Sequence, residues 1–436
     1  MPKHIKKKSI SHKPRMKRTK KSFSTVADVR DILPKDEVWW DMVRNTGEKV
    51  STLHNFHFIE TPIVEQAELF EAGFGKGSFA AENDLCTFTI GRGQRLTLRA
   101  DGAIPVVRSY IEHHLGYFSS PLRVYYHGPV FRRKGNKIQQ SNQWGFIIIG
   151  DGDSVYDVSI MLTLLDFLRT LGFKDPVVKV NAAGCKVCRS TYRQKLKQYY
   201  RYRRRSLCEA CTYRYEHDPI RLFVCEREVC GKIRADTPII LDYLCQSCNG
   251  HFQNVLELIE DNEINYVPDP YLVGDVGYYS KIIFEVYAHA DASKPFARGG
   301  RYDYLAEQLG GRQLQSVGGV LYLDAVVDAL REREEKLNQD EKPRVFFVAI
   351  GERAKKSSLS LMNDLRQHGF VVLEALGRKS LQAQLKAAEK SGVSVTLIYG
   401  QREVYEGAVM VREMDSGTQE SVLVNMLIST VRKKIK

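Results

Sequence analysis

Residues 96–150 constrain the fold most, because a strand, a helix and a hairpin follow one another there within a short segment. A strand-like LTLR sequence passes through an acidic turn made of Ala100, Asp101 and Gly102. The turn leads into an amphipathic helix, which the spacing of the apolar residues predicts over about residues 104–114. This part of the segment therefore predicts a strand joined to a helix through an acidic turn.

Two apolar runs rich in β-branched and aromatic residues follow this helix, at residues 122–131 and 144–149. A polar loop that contains glycine, residues 133–142, separates them, so the pattern predicts an antiparallel hairpin. Arg132 stands where the first strand gives way to the loop. Because a guanidinium there would present a planar, bidentate cation to a phosphate, Arg132 is a candidate anion-binding residue.

The rest of the chain predicts a mixed body and a separate final domain. Helical periodicity is present at residues 36–53 and 157–170, strand patterns at residues 58–62, 177–180 and 281–288, and a strand followed by a helix at residues 316–330. A charged linker at residues 332–343 precedes residues 344–436, where strands and helices alternate. Such alternation predicts a small α/β domain with a parallel core.

Cysteine spacing sets residues 184–251 apart as an insert. This segment carries eight of the nine cysteines in close pairs, namely Cys185 and Cys188, Cys208 and Cys211, Cys225 and Cys230, and Cys245 and Cys248. Such spacings aim two thiolates at one metal ion, so the pairs predict two structural zinc sites of four thiolates each. Redox chemistry and coincidence are the alternatives, a cytosolic setting argues against disulfides, and which pairs share a metal stays open.

Residues 189–205 interleave arginine and lysine with Tyr192, Tyr199, Tyr200 and Tyr202. One interpretation is an RNA-binding surface, because phosphates attract the cations and bases stack on the aromatic rings. The other interpretation is a helix that packs its tyrosines on the zinc core and leaves its charges in solvent. The sequence does not decide between the two.

The charge of the chain favours a polyanionic partner. The formal net charge is +13, and residues 1–24 concentrate lysine and arginine without apolar periodicity, which predicts a disordered basic arm. This arm would add non-specific contacts to RNA phosphates or would be a solvated tail without a dedicated role. No run of about 20 apolar residues and no apolar signal core is present, so we expect a soluble, cytoplasmic protein without membrane contact.

The segment at residues 96–150 resembles motif 2 of class II aminoacyl-tRNA synthetases, specifically of histidyl-tRNA synthetases. That family has the patterns LRPEGT, GPxFR and HQxG, and this chain has LRADGA, GPVFR and NQWG. A second close match is GGRYDYLAEQLGG at residues 299–311, and the resemblance covers nearly the whole chain after residue 30. It implies an α+β fold: an antiparallel class II core with helices, a cysteine-rich zinc insert and a C-terminal α/β domain like an anticodon-binding domain.

The resemblance also implies a domain plan and an assembly. The core would comprise residues 25–183 and 252–331, interrupted by the insert at residues 184–251, which looks like the insert of some bacterial histidyl-tRNA synthetases. The helix and strand before Pro62 resemble motif 1, which forms a dimer interface, so a homodimer is expected. Residues 316–330 resemble motif 3. The partners implied are tRNA, histidine and ATP, with magnesium as a cofactor beside the zinc ions.

The residues that would bind substrates are carried over from the family's motifs. They are Asp101, Gly102, Ala103, Arg132, Gln143, Tyr278 and Tyr279, with Arg132 as the catalytic arginine. Several positions depart from the family pattern: Asp101 replaces a glutamate, Lys134 and Ile147 stand where glutamates are expected, and Gly274 and Ala325 occupy the two other arginine positions. Each missing charge would lower the rate of catalysis, and Arg133 or Lys134 would be the candidates to compensate.

Two kinds of function follow from these departures. The first is a histidine-tRNA ligase, either fully active or weakened. The second is a non-catalytic relative comparable to the regulatory subunit of ATP phosphoribosyltransferase, which lacks the same arginine but keeps the tyrosine pair. The sequence favours a protein derived from the synthetase that binds tRNA and has impaired or lost aminoacylation.

Overall fold

The chain divides into two compact units with the boundary between Glu335 and Lys336. Most of the predicted basic arm and of the charged linker lies outside the described residues. No helix in the described part of the chain is long and apolar enough to cross a membrane. The structure is a computed structural model and describes residues 23–75, 78–274, 277–333, 344–378 and 380–435.

The first unit combines helices with one large and one small sheet. Its strands are β1 (His57–Phe58), β2 (Val64–Gln66), β3 (Thr87–Ile90), β4 (Gln94–Leu98), β5 (Leu122–Lys134), β6 (Lys137–Ile149), β7 (Val177–Gly184), β8 (Tyr266–Pro268), β9 (Ser280–Tyr287), β10 (Ala297–Arg301) and β11 (Ser316–Tyr322). Its helices are α1 (Glu37–Leu53), α2 (Ala67–Phe74), α3 (Phe79–Asn83), α4 (Ala103–Glu112), α5 (Val155–Thr170), α6 (Lys186–Tyr200), α7 (Glu209–His217), α8 (Glu228–Arg234), α9 (Gln246–Asp261), α10 (Leu305–Gln308) and α11 (Leu323–Glu332).

The large sheet has the strand order β1-β5-β6-β11-β10-β9-β7-β8. Its interior pairings are antiparallel, whereas the edge pairs β1/β5 and β7/β8 are parallel. Strands β2, β4 and β3 form a separate sheet. The predicted α+β class with an antiparallel core is therefore confirmed, and β11 followed by α11 is the strand and helix predicted at residues 316–330.

The β5–β6 hairpin is longer than the sequence predicts. Its cross-strand register runs from the pair Leu122 and Ile149 to the pair Lys134 and Lys137, so only Gly135 and Asn136 form the turn. Gly135 has φ +62°, a conformation that suits glycine. The prediction of a loop over residues 133–142 is wrong, because the alternate polar residues there belong to a strand with one face on a cavity.

The predicted strand at residues 58–62 is also wrong in extent, since β1 ends at Phe58. The helix predicted over residues 36–53 is confirmed as α1, which packs on the sheet through Trp144. The Trp144 ring is fully buried and stacks on Tyr125 with centroids 5.4 Å apart. A Cβ atom on Gly47 would lie 2.6 Å from this indole, so glycine allows the close approach of α1.

The insert packs its tyrosines internally. The hydroxyl of Tyr192 donates to the carbonyl of Pro238 at 2.9 Å, and that of Tyr199 donates to the carbonyl of Ile233 at 3.0 Å. Tyr200 is buried and shares a hydrogen bond with Thr237. The interpretation of a helix packed on the insert's core is confirmed for these residues, and Tyr202 alone of the four is largely exposed, at 84%.

The second unit has a mixed sheet with helices. Its strands are β12 (Arg344–Ala349), β13 (Val371–Glu374), β14 (Val395–Tyr399), β15 (Ala408–Glu413) and β16 (Gln419–Leu423), and its helices are α12 (Glu352–Gln367), α13 (Leu381–Ser391), α14 (Gln401–Glu406) and α15 (Leu427–Lys434). The sheet order is β13-β12-β14-β15-β16, with the first three strands parallel. The predicted α/β domain with a parallel core is confirmed, and β15 and β16 extend it in antiparallel fashion.

Candidate active site

A cavity of about 420 Å³ opens on the face of the large sheet formed by β6, β10 and β11. It brings together most of the residues predicted from sequence, although they lie far apart along the chain: Asp101, Ala103, Arg132, Gln143, Ile147, Tyr278, Tyr279 and Ala325. Gly102 is not part of the lining; a Cβ atom there would overlap the Tyr126 ring, so glycine lets α4 begin against that wall. Gly274 lines a different cavity.

Asp101 lies at the start of α4 with both carboxylate oxygens engaged. Its Oδ1 accepts hydrogen bonds from the backbone N–H groups of Ala103 at 2.8 Å and Ile104 at 3.2 Å. Its Oδ2 accepts from the Tyr278 hydroxyl at 3.0 Å and lies 3.9 Å from Nη2 of Arg132. Burial raises the pKa of Asp101, an effect that the charge of Arg132 and these hydrogen bonds oppose.

Arg132 projects from β5 into the cavity beside this carboxylate. Its Nε donates to the carbonyl of Ala100 at 3.0 Å, and its guanidinium carbon lies 5.5 Å from the centroid of the Phe74 ring. These contacts fix the plane of the guanidinium before any substrate arrives. An arginine held in this way is suited to bind a phosphate through paired N–H donors.

The tyrosine pair forms an aromatic wall of the cavity. The ring centroids of Tyr278 and Tyr279 lie 4.9 Å apart, and the Tyr302 ring packs edge-on against Tyr278 at 5.6 Å. All three rings are buried. Gln143 on β6 lines the same cavity. A flat, partly polar side chain would fit between these groups.

Cations other than those expected line this cavity. Arg133 donates to the backbone carbonyls of Asn83 and Glu82, and neither it nor Lys134 belongs to the lining. Sequence reasoning missed Lys294 and Arg298, which do line it. The position of Arg298, directly before the glycine pair 299–300, was the available signal.

Two acidic residues that sequence reasoning missed affect this cavity: Glu285, which binds Arg298, and Asp324, which belongs to the lining. Nε of Arg298 donates to the buried Glu285 at 2.8 Å, so part of this positive charge is already neutralised. Asp324 lines the cavity at the start of α11 and accepts from the backbone N–H of Asn142 at 2.6 Å and from Arg30 at 2.8 Å. Both carboxylates of the described lining, Asp101 and Asp324, therefore already accept hydrogen bonds from the protein.

The eight paired cysteines form two clusters in the insert. In each cluster the Sγ atoms all lie within 4.8 Å of one another, the first consisting of Cys185, Cys188, Cys245 and Cys248 and the second of Cys208, Cys211, Cys225 and Cys230. The first cysteine pair of the sequence thus clusters with the fourth, and the second pair clusters with the third. Four thiols in such a group are the donor set of a structural zinc site, and the residues present fit that metal.

The thiols of one cluster differ in their readiness to ionise. Burial raises the pKa of Cys208, but hydrogen bonds from the backbone and side chain of Cys211 and from the neighbouring thiols outweigh it and lower the pKa to about 7. Burial raises the pKa of Cys211, as do the neighbouring thiols. A cation in the cluster would favour the thiolate at every position, because it supplies the charge that burial otherwise penalises.

The antiparallel sheet beneath the cavity, the long hairpin that carries Arg132 and the β11–α11 unit define the catalytic core of a class II aminoacyl-tRNA synthetase. The family model described as "Histidyl-tRNA synthetase" matches residues 28–193 and 237–326, and that described as "Anticodon binding domain" matches residues 344–434. The chain belongs to the histidyl-tRNA synthetase family.

Individual relatives agree with this assignment. A histidine–tRNA ligase of Natranaerobius thermophilus is 35% identical over 398 residues, covering 90% of this chain and 94% of that protein. One of Halothermothrix orenii is 33% identical and covers 93% of this chain and 98% of its own length. The apo histidyl-tRNA synthetase of S. aureus superposes with a TM-score of 0.76 at 27% identity, covering 95% of this chain and 100% of that one.

Proposed function

We propose that this chain binds histidine, ATP and tRNA and forms histidyl-adenylate, the activated amino acid, at a reduced rate. The observation that carries the proposal is the charge of the cavity: Arg132 is present, whereas Ala325 stands in the lining at one arginine position and Gly274 lies outside it at another. The aromatic wall of Tyr278 and Tyr279, together with Gln143, supports the proposal that the cavity still binds the amino acid. The family supports tRNA as the acceptor.

The residues of the cavity would act mainly by positioning. Arg132 would neutralise charge that develops on the phosphate under attack, Gln143 would hold the amino acid through its amide, and Tyr278 with Tyr279 would enclose the side chain. ATP would bring magnesium on its own phosphates. Asp101 and Asp324 already accept hydrogen bonds from protein groups. Each absent arginine costs roughly 100- to 1000-fold in rate, so two would cost about 10⁴- to 10⁶-fold if independent.

A fully active ligase is the second candidate, because Lys294 and Arg298 add positive charge to the lining. Glu285 already binds Arg298, which is why we favour a reduced rate. A regulatory role without catalysis is the third. A protein of Bacillus halodurans described as an ATP phosphoribosyltransferase regulatory subunit/histidyl-tRNA synthetase shares the fold, with a TM-score of 0.63 at 20% identity over 88% of this chain.

Histidine-dependent exchange of labelled pyrophosphate into ATP tests the proposal, because it reports adenylate formation without tRNA. We expect exchange near background from the unmodified chain and a large rise when Gly274→Arg and Ala325→Arg are combined, with Ile147→Glu if needed. Adding Arg132→Ala to that variant should abolish the gain. Robust exchange by the unmodified chain would favour the fully active ligase, whereas a histidine-dependent rise in Tm without exchange in any variant would favour the regulator.

The metal content, the assembly and the domain plan belong to the same proposal. Each cysteine cluster would bind one structural zinc ion, and the protein would act in the cytoplasm as a homodimer. The basic arm at residues 1–24, residues 189–205 of the insert and the domain at residues 344–436 would contact tRNA. The cysteine geometry supports the zinc ions, and the family resemblance supports the remainder.

A further inference from the structure

The segment that precedes α1 runs along the outside of the wall of the candidate active site. It is held by two ion pairs, one between Oδ2 of Asp28 and Nζ of Lys137 at 3.2 Å and one between Oδ1 of Asp36 and Nη2 of Arg331 at 2.6 Å. Lys137 begins β6 and Arg331 lies on α11, so the segment reaches from the hairpin to that helix. Arg30 lies between these two contacts along the chain. Neither the catalytic proposal nor the zinc clusters give this arginine a role.

Arg30 divides its guanidinium between two carboxylates of α11. Nη2 and Nε donate to Oδ1 of Asp324 at 2.8 and 3.2 Å, and Nη1 donates to Oδ1 of Asp328 at 2.9 Å. Because the two aspartates are four residues apart on one helix, they share a face and fit the planar fork of an arginine. The side chain of Arg30 is 45% exposed and lies outside the described lining of the cavity. Asp324, however, belongs to that lining.

Asp324 connects Arg30 to the cavity. Its Oδ2 accepts from the backbone N–H of Asn142 at 2.6 Å, while its Oδ1 accepts from Arg30. Asn142 lies on β6 between Ser141 and Gln143, and both of these neighbours line the cavity. The carboxylate of Asp324 therefore joins three parts of the chain: the segment before α1, the strand β6 and the helix α11.

The charge of Asp324 matters because the cavity is proposed to bind ATP, which is a polyanion. Among the described lining residues the cations are Arg132, Lys294 and Arg298, and the carboxylates are Asp101 and Asp324. Asp101 lies 3.9 Å from Arg132 within the lining, whereas Asp324 is paired with an arginine from outside it. A carboxylate without a cation beside it would repel a polyphosphate, and the low dielectric of a partly enclosed cavity would strengthen that repulsion.

We propose that Arg30 is a positioning residue for ATP binding. It offsets the charge of Asp324 and holds that carboxylate in place, so that the polyphosphate can enter the cavity, and it does not touch the nucleotide itself. Its effect should therefore grow with the negative charge of the ligand and should disappear when residue 324 carries no charge. This inference rests on the proposed binding of ATP, but it does not depend on the rate of adenylate formation.

The first test measures binding of ATP, AMP and adenosine to the full-length protein by calorimetry, at constant ionic strength and a fixed magnesium concentration. Arg30→Gln should weaken the Kd of ATP by about tenfold, that of AMP by less and that of adenosine by no more than about twofold, because repulsion requires a charged ligand. Arg30→Lys should recover most of the ATP affinity, since it keeps the positive charge.

Arg44→Gln is the matched control for the loss of one positive charge near the N-terminus. Arg44 is 49% exposed, forms a similar ion pair with Asp41 and lies outside the described lining of the cavity. The Kd of ATP for this variant should stay within about twofold of that of the unmodified chain.

A double-mutant cycle tests whether Arg30 acts through Asp324. Asp324→Asn removes the charge but keeps an oxygen that can accept from the N–H of Asn142, so Arg30→Gln should change the Kd of ATP by no more than about twofold in that background. Three results would each overturn this inference alone: an unchanged ATP affinity in Arg30→Gln, an equal loss for adenosine, or an undiminished loss in the Asp324→Asn background. Absence of ATP binding by the unmodified chain would overturn the proposed function together with it.

Discussion

The Tyr278 hydroxyl donates a hydrogen bond to Oδ2 of Asp101 across 177 residues of sequence. Because Oδ1 of the same carboxylate accepts the first N–H groups of α4, this contact ties the start of that helix to the aromatic wall of the cavity. The acidic residue that the family resemblance assigns to the substrate thus also orders the site. A substitution at either residue should therefore change the position of the other side chain.

Asp101→Asn should change the pH dependence of stability. Folding raises the pKa of Asp101 above its ordinary value near 3.8, chiefly by burial, so its stabilising contribution is full below that value and is lost as the pH rises through the folded pKa. Asparagine stays neutral throughout. The free energy of unfolding of the variant, measured by urea denaturation from pH 4 to 8, should therefore rise relative to the unmodified chain as the pH rises. The opposite trend would show that Arg132 dominates.

Elemental analysis should find about two zinc ions per chain, since each thiolate quartet binds one. Cys211→Ser should reduce the content to about one and lower the stability of the insert, because metal binding contributes folding free energy directly. The matched control is Cys86→Ser, since Cys86 is also buried but belongs to neither cluster. Zinc at two per chain in the Cys211→Ser variant would contradict the assignment of that cluster.

Two glycines in helices of the first unit should respond in opposite ways to alanine. A Cβ atom at Gly47 would lie 2.6 Å from the Trp144 ring, so Gly47→Ala should destabilise the unit by about 1–3 kcal/mol through overpacking. At Gly231 of α8 no described atom outside the helix's own backbone lies within 4 Å of an added Cβ atom, so Gly231→Ala should stabilise by up to about 1 kcal/mol through helix propensity. Urea denaturation measures both. Equal effects would mean that α1 is not held against the indole.

Binding of tRNA should weaken steeply with salt, because it rests on phosphate contacts. The logarithm of the binding constant should fall linearly with that of the salt concentration, by about 0.7–0.9 per contact, and deletion of residues 1–24 should reduce the slope by about 1 or more. Filter binding over a range of salt measures both. Tyr202→Ala removes the most exposed of the four tyrosine rings of residues 189–205, so it should lower affinity by about 1–3 kcal/mol at unchanged slope if that ring stacks on a base. Binding indifferent to salt would contradict the RNA-binding proposal.

Local periodicity predicted the helices and strands of this fold better than it predicted what each strand face contacts. The polar residues Gln139 and Ser141 suggested a loop, yet they alternate with Gln143 along β6, and all three line the cavity. Alternation of this kind is ambiguous until the neighbour of each strand face is known. Arg298 escaped notice for the same reason, since its exposure to the cavity depends on β10 lying between β9 and β11.

Pairing of the cysteines shows a second limit of sequence. Spacing identified each pair of thiols, because a short turn brings two nearby side chains to one point. It did not say that the first pair meets the fourth and the second meets the third, because that depends on how the chain between the pairs folds. By contrast, Asp101, Arg132 and Tyr278, which the family resemblance assigns to one site, do line one cavity.

The nested order of the clusters has a consequence for the history of this insert. Cys188 accepts a hydrogen bond from the backbone N–H of Cys245 across 57 residues, so the two ends of the segment lie side by side. A lobe whose two ends are held together can change in length or sequence between them while β7 and α9 keep their places, as long as contacts such as that of the Tyr271 hydroxyl with the carbonyl of Ala235 are kept. Lineages could therefore exchange whole lobes at this position, and an engineered lobe could be joined through the same outer cysteines.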